Sequence, residues 1–227
     1  MKLYYAPGTC SLAPHIVLEW LGIPYEVEQV TLGDSDYLNI NPLGTVPVLA
    51  VEDRILCQAD AIIKYLVNTH PEANLGADST PMGEHELDYW LAFLTGDFHP
   101  AFYPVFTPHR YTTQDEGSAL AATKEAGQLL VQKFLKHLDQ HLEQRNHLVA
   151  NRRTVADPYA FAMLRWARPL SDFPNVERFF ESLARDVSVQ AAMKVKLTVP
   201  AALRNHVNSD LLRAQNGVTT SAAYLTW

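Results

Sequence analysis

Strand-like sequence is confined to the first quarter of this 227-residue chain, and from Glu84 onward it does not return. A chain that places all its strands early and only helices late is expected to fold as an α/β unit followed by an all-α unit. Residues 2–6 read as a short strand, Pro7-Gly8-Thr9 as a turn, and residues 11–20 as a helix. Gly22 and Pro24 then stop that helix. Residues 25–30 read as a second strand, which completes a β-α-β unit with a right-handed crossover. Residues 31–43 are polar and read as loop or a short turn of helix. Residues 44–51 are apolar and β-branched, with Pro47 at the strand entry because proline cannot donate to a ladder. Glu52-Asp53-Arg54 is a hairpin turn and residues 55–57 the return strand. Gln58-Ala59-Asp60 opens a helix with Ala61, Ile62, Tyr65 and Leu66 on its apolar stripe. The expectation is a small α/β domain over residues 1–70 with a mixed four-stranded sheet.

Residues 71–83 contain Pro71, Gly76, Pro81 and Gly83 and read as a linker. An all-helical domain over residues 84–200 is expected next. Residues 84–98 carry Leu87, Trp90, Leu91 and Leu94; residues 99–108 are interrupted by Pro100, Pro104 and Pro108. Residues 118–144 form a long amphipathic pattern with Leu130, Phe134, Leu138 and Leu142 at steps of four. Residues 154–168, 176–186 and 188–197 read as further helices. The extension 201–227 is polar and ends Tyr224-Leu225-Thr226-Trp227, which leaves a lid, a dimer contact or disorder open.

The net charge of -7 and the absence of a Lys/Arg run argue against a nucleic-acid partner. No apolar stretch is long enough to span a bilayer and no secretory leader is legible, so neither a membrane partner nor export is expected and a cytoplasmic location is. Two cysteines, Cys10 and Cys57, make no disulfide scaffold and fit a reducing compartment. His137 and His141 share a helix face without an acidic or cysteine partner, so no metal site is expected. Cys10 has two readings. In a loop feeding a helix N-terminus, free N–H groups and the helix dipole favour a thiolate. Alternatively it is a small buried hydrophobe.

Four separate stretches together resemble the cytosolic glutathione transferases: residues 4–11 (YYAPGTCS), residues 41–49 (NPLGTVPVL), residues 58–62 (QADAI) and residues 154–157 (TVAD). A cysteine at position 10, in place of tyrosine or serine, is similar to the bacterial beta class. The resemblance implies a thioredoxin-like N-terminal domain, an all-α C-terminal domain and a homodimer with the active site near its interface. It implies a cis bond before Pro47, with the N–H and C=O of Val46 offered to the cysteine part of glutathione. It implies that Gln58 and Ala59, at a helix N-terminus, receive the γ-glutamyl carboxylate. Gln58 stands where the beta class usually has Glu and Ala59 where many members have Ser, so Asp60 becomes a candidate partner for the ligand amine. The resemblance also gives Cys10, His99 and Ser11 catalytic roles and places Tyr5 and Trp166 at a hydrophobic substrate site. Thr154 and Asp157 match an N-capping box, with Pro158 tolerable in the first turn. The basic residues some beta members place at the glycine end are missing here.

Glutathione, as co-substrate, and a small hydrophobic electrophile are the implied ligands, and detoxification by conjugation is the implied function. Glutathione-dependent thiol-disulfide exchange or peroxidase chemistry through a Cys10 mixed disulfide is the alternative. Ala13 stands where a resolving cysteine would be, so such a cycle would need glutathione itself. A non-catalytic binding or regulatory protein on the same fold is the third reading.

Overall fold

The computed structural model describes residues 1–194. The extension and the last residues of the expected final helix lie outside the described residues. The elements in order are β1 (Lys2–Tyr5), α1 (Leu12–Leu21), β2 (Glu26–Gln29), α2 (Ser35–Ile40), β3 (Val48–Val51), β4 (Arg54–Cys57) and α3 (Ala59–Thr69). There follow α4 (Pro81–Phe93), a π-helical segment Leu94–Phe98, α5 (His99–Ala101), α6 (Tyr103–Phe106), α7 (Gly117–His141), α8 (Ala156–Leu164), α9 (Pro174–Ala184) and α10 (Val187–Lys194).

The sheet order is β2-β1-β3-β4. β1 and β2 are parallel, as a helical crossover requires; β1 and β3, and β3 and β4, are antiparallel. The register stacks Leu3, Leu49 and Leu56 on one face. Leu3 and Leu49 are fully buried there, in one core with Ile16, Val17, Ile62 and Leu66 from α1 and α3. Tyr4, Val48 and Cys57 share the opposite face, where the Tyr37 ring of α2 lies 6.3 Å from that of Tyr4. The strand expected over residues 44–51 begins only at Val48, so residues 44–47 stand outside the ladder.

In the helical part, Pro100, Pro104 and Pro108 do not break structure. Each sits in the first turn of a short helix, α5, α6 or a 3-10 turn Pro108–Arg110, where its missing N–H costs no hydrogen bond. Of the expected stripe, Leu138 and Leu142 are buried, but its first half is displaced. Gly127, Val131, Leu135 and Leu138 face the core, while Leu130 is exposed and Phe134 half-buried. Gly127 explains the shift: a Cβ there would lie 3.0 Å from Val105 and 3.1 Å from Pro104, so α6 packs directly onto that position. His137 and His141 lie against the ring of Trp90, at 5.5 and 4.2 Å between centroids. Among the described residues no cluster of three metal-ligating side chains occurs. No described helix is long and apolar enough to cross a membrane.

The two lobes are locked by side chains. α1 packs against α8 and α10. Trp20 donates to Asp186 at 3.1 Å, Arg153 pairs with the same carboxylate at 2.8 Å, and the Arg153 guanidinium lies over the Trp20 ring. Arg152 donates to the carbonyls of Asn74 and Gly76 and to Asp78, fixing the connecting segment. The expected capping box is half made. Asp157 accepts from the N–H groups of Thr154 and Leu148, both at 3.0 Å, and lies 2.9 Å from His147 Nδ1. The Thr154 hydroxyl, however, makes no hydrogen bond, because α8 begins at Ala156, one residue later than a reciprocal box needs.

Candidate active site

The site begins at the C-terminal end of β1. Gly8 turns the chain with φ of 79°, a backbone conformation that suits glycine. The Thr9 hydroxyl donates to the carbonyl of Ala6 at 2.7 Å, which uses its only proton. The Ser11 hydroxyl, 2.6 Å away, therefore donates to Thr9 Oγ1. Ser11 is 1% exposed, so its hydroxyl is spent inside the loop.

This loop presents Cys10, whose thiol donates to the Val46 carbonyl at 3.5 Å. Of the two readings of Cys10, burial supports the small buried side chain: it pushes the thiol up to about 12, outweighing a helping backbone hydrogen bond. α1 begins only at Leu12, and Cys10 is packed into the core cluster. At neutral pH Cys10 is a hydrogen-bond donor.

Val46 is held from behind. Tyr37 Oη and Asn41 Nδ2 both donate to the Thr45 carbonyl, at 2.6 and 2.7 Å. The Val46–Pro47 bond is cis. The Val46 N–H makes no hydrogen bond among the described residues, so the segment offers an unpaired, strand-like edge. Because Val48 pairs with Cys57, that edge runs on beside Gln58 and the start of α3. Gln58 caps α3 with φ of 70°, a region that a non-glycine residue occupies at a cost. Its side chain is exposed and makes no capping bond. Ala59 is buried and Asp60 half-buried, and the first N–H groups of α3 have no intrahelical acceptors.

The facing wall comes from the helical lobe. The π segment ends with the His99 N–H bonded to the Leu94 carbonyl, five residues back. That extra residue resets the helical register just before His99. The His99 ring lies 5.1 Å from that of Trp166 and 5.2 Å from that of Tyr103, and its Nδ1 is 3.0 Å from Tyr159 Oη. Trp166 packs edge-on against Phe102 and Phe106 and donates to the Gly8 carbonyl at 2.7 Å, joining this wall to the thiol loop. Burial lowers His99 to about 4. Burial and then the field of Cys10 push Tyr103 and Tyr159 up, and Asp60 adds to the effect on Tyr159.

The Cys10 thiol thus meets the Val46 carbonyl, Gln58, Ala59 and Asp60 follow the β4 residue that pairs beside Pro47, and Trp166 ties the wall that holds His99 to Gly8 of the thiol loop. Tyr5, the last residue of β1, is half-buried, with its ring 6.2 Å from that of His15. Phe102, Tyr103 and Phe106 were hidden in the proline-rich stretch, and Tyr37 and Asn41 in a segment read as mostly loop. For Asn41 the signal was present, since it opens the stretch NPLGTVPVL.

Family models described as the N-terminal and C-terminal domains of glutathione S-transferase match residues 3–74 and 97–186. The chain is 38% identical over 203 residues to the glutathione S-transferase GST-4.5 of Xanthomonas campestris pv. campestris, covering 86% of this chain and 98% of that protein. It is 31% identical to the glutathione S-transferase GstA of Escherichia coli O157:H7, covering 86% and 98%. Among solved structures, a sphingomonad glutathione S-transferase complexed with glutathione is 33% identical with a TM-score of 0.76, covering 86% of this chain and 98% of that one. A beta-class enzyme of Sphingomonas chungbukensis is 34% identical with a TM-score of 0.75 over the same shares.

Proposed function

Since the chain belongs to the glutathione S-transferase family, we propose that it conjugates the thiolate of glutathione to small hydrophobic electrophiles. The observation that carries this reading is the Cys10 thiol on the Val46 carbonyl, at the junction of an unpaired strand edge and an aromatic wall. The cysteine part of glutathione lies along Val46 and Pro47, pairing with the Val46 N–H and C=O as an added strand would. Its amide N–H takes the Val46 carbonyl, and the Cys10 S–H is released to the ligand sulfur. The γ-glutamyl carboxylate sits on the first N–H groups of α3, with Gln58 as a further donor, and Asp60 pairs with the amine.

Cys10 and His99 donate to the glutathione sulfur and favour its thiolate. Lowering that thiol by two pH units takes about 2.7 kcal/mol, within reach of two hydrogen bonds to a charged acceptor. The sulfur then attacks an electrophile seated on Trp166, Phe102 and Phe106, and the leaving group or displaced charge departs into solvent. Tyr5 contributes from the β1 side, and Ser11 keeps the thiol loop in shape. Conjugation is favoured over thiol-disulfide exchange because Cys10 is buried and protonated, a poor nucleophile. The protein works as a cytoplasmic homodimer in a bacterium, in detoxification. Exposed Met82 and Tyr89 on α4 and Leu129 and Leu130 on α7 support an association surface, and a monomer by light scattering at micromolar concentration would remove the dimer. Calorimetry with glutathione, followed by conjugation assays on a panel of electrophiles, tests the function; a folded protein that binds no glutathione refutes it.

A further inference from the structure

We propose that Tyr159 is a positioning residue: its hydroxyl donates to His99 Nδ1 and so fixes the imidazole as the tautomer whose Nε2–H is free to donate to the glutathione sulfur. The inference rests on the function proposed above and goes beyond it by assigning the proton.

Tyr159 lies in the middle of α8, 3% exposed, and its hydroxyl has one hydrogen-bonding partner among the described residues, His99 Nδ1 at 3.0 Å. A buried phenol must place its proton on an acceptor. The other assignment, Nδ1–H donating to the phenol oxygen, would leave the Tyr159 proton buried without one. Burial keeps His99 neutral at pH 7, so it has one ring proton to place, and keeps Tyr159 protonated. The proton of His99 is then on Nε2, which has no protein partner among the described residues. The ring stands against Trp166 and Tyr103, in the wall that Trp166 ties to Gly8 of the thiol loop. The π segment brings His99 to this place, and Tyr159 sets its orientation and its proton. A neutral donor suits the role, because it stabilises a thiolate without quenching it by proton transfer.

Two readouts test this. In the free protein, nitrogen-15 NMR of the histidine side chains at pH 7 should show His99 protonated at Nε2, with Nδ1 a hydrogen-bonded acceptor; an Nδ1–H tautomer overturns the inference. In the complex, the thiolate absorbance that appears on adding glutathione should titrate about 0.5–1 unit higher in Tyr159→Phe than in the wild type, with kcat lowered roughly threefold to tenfold and glutathione affinity kept, as loss of one hydrogen bond predicts. In a His99→Ala background, Tyr159→Phe should add nothing to the titration shift. Equal shifts in both backgrounds, or none in either, overturn the positioning role. Should Tyr159→Phe fail to fold, the wild-type tautomer decides. A wild type with no bound thiolate at any pH would instead refute the conjugation reading, and the tautomer result would still separate the two failures.

Discussion

The two sides of the candidate site are made of different material. The wall from the first lobe is mostly main chain: the Val46 N–H and C=O, the first N–H groups of α3 and a short thiol loop, all placed by a strand ladder. The wall from the second lobe is side chain: His99, Phe106 and Tyr159 from three helices and Phe102 and Trp166 from the turns beside them, held by ring contacts and single hydrogen bonds. Main-chain groups do not change with a substitution, so the first wall suits a fixed tripeptide. Side chains do change, so on the proposed function the second wall is where specificity for the electrophile would vary without loss of the fold.

The largest expected effect falls on the second wall, whose α8 depends on one buried carboxylate. Asp157→Ala leaves the N–H groups of Leu148 and Thr154 without an acceptor and should cost about 3 kcal/mol, read as a lower urea midpoint. A change within about 0.5 kcal/mol would mean that packing alone sets the helix start.

A pair of substitutions separates the walls. Asn41→Ala, which removes a support behind Val46, should weaken glutathione binding by about fivefold and leave the electrophile KM alone. Trp166→Phe keeps a ring but loses the bond to Gly8, and should raise the electrophile KM about threefold with glutathione affinity unchanged. If both changes move both constants equally, the division between the walls is wrong.

This division also decided what could be read in the sequence. Strands, the register-setting apolar positions and the stretch NPLGTVPVL are local patterns, and the mixed sheet follows from them. Trp166 and His99 were legible as positions, but their partnership was not. Some sixty residues separate Trp166 from Phe102 and Phe106, and ring contacts between distant segments leave no periodic trace. Leu130 failed as a core position because the pattern of large apolar residues cannot reveal a close approach at Gly127. The two readings of Cys10 stayed open because a sequence shows the nearby helix start but not how deeply the thiol is buried.

A last effect is on pH dependence. Burial holds His99 at about 4, below its ordinary 6.5, so the unfolded chain takes up that proton first. Stability should therefore fall as pH drops from about 6.5 towards 4, with His15 and His141, also lowered by burial, adding in the same direction. Urea midpoints across that range should fall less steeply in His99→Gln than in the wild type. An unchanged slope would mean that His99 is open to solvent.

The most direct measurement is conjugation by Cys10→Ala, made on protein shown to be folded and to bind glutathione. With Cys10 a protonated donor to the ligand sulfur, the variant should lose about tenfold to a hundredfold in turnover, the worth of one hydrogen bond to a charged group, yet keep measurable activity, because the attacking sulfur belongs to glutathione. Complete loss of conjugation would contradict this and make Cys10 itself essential to the chemistry.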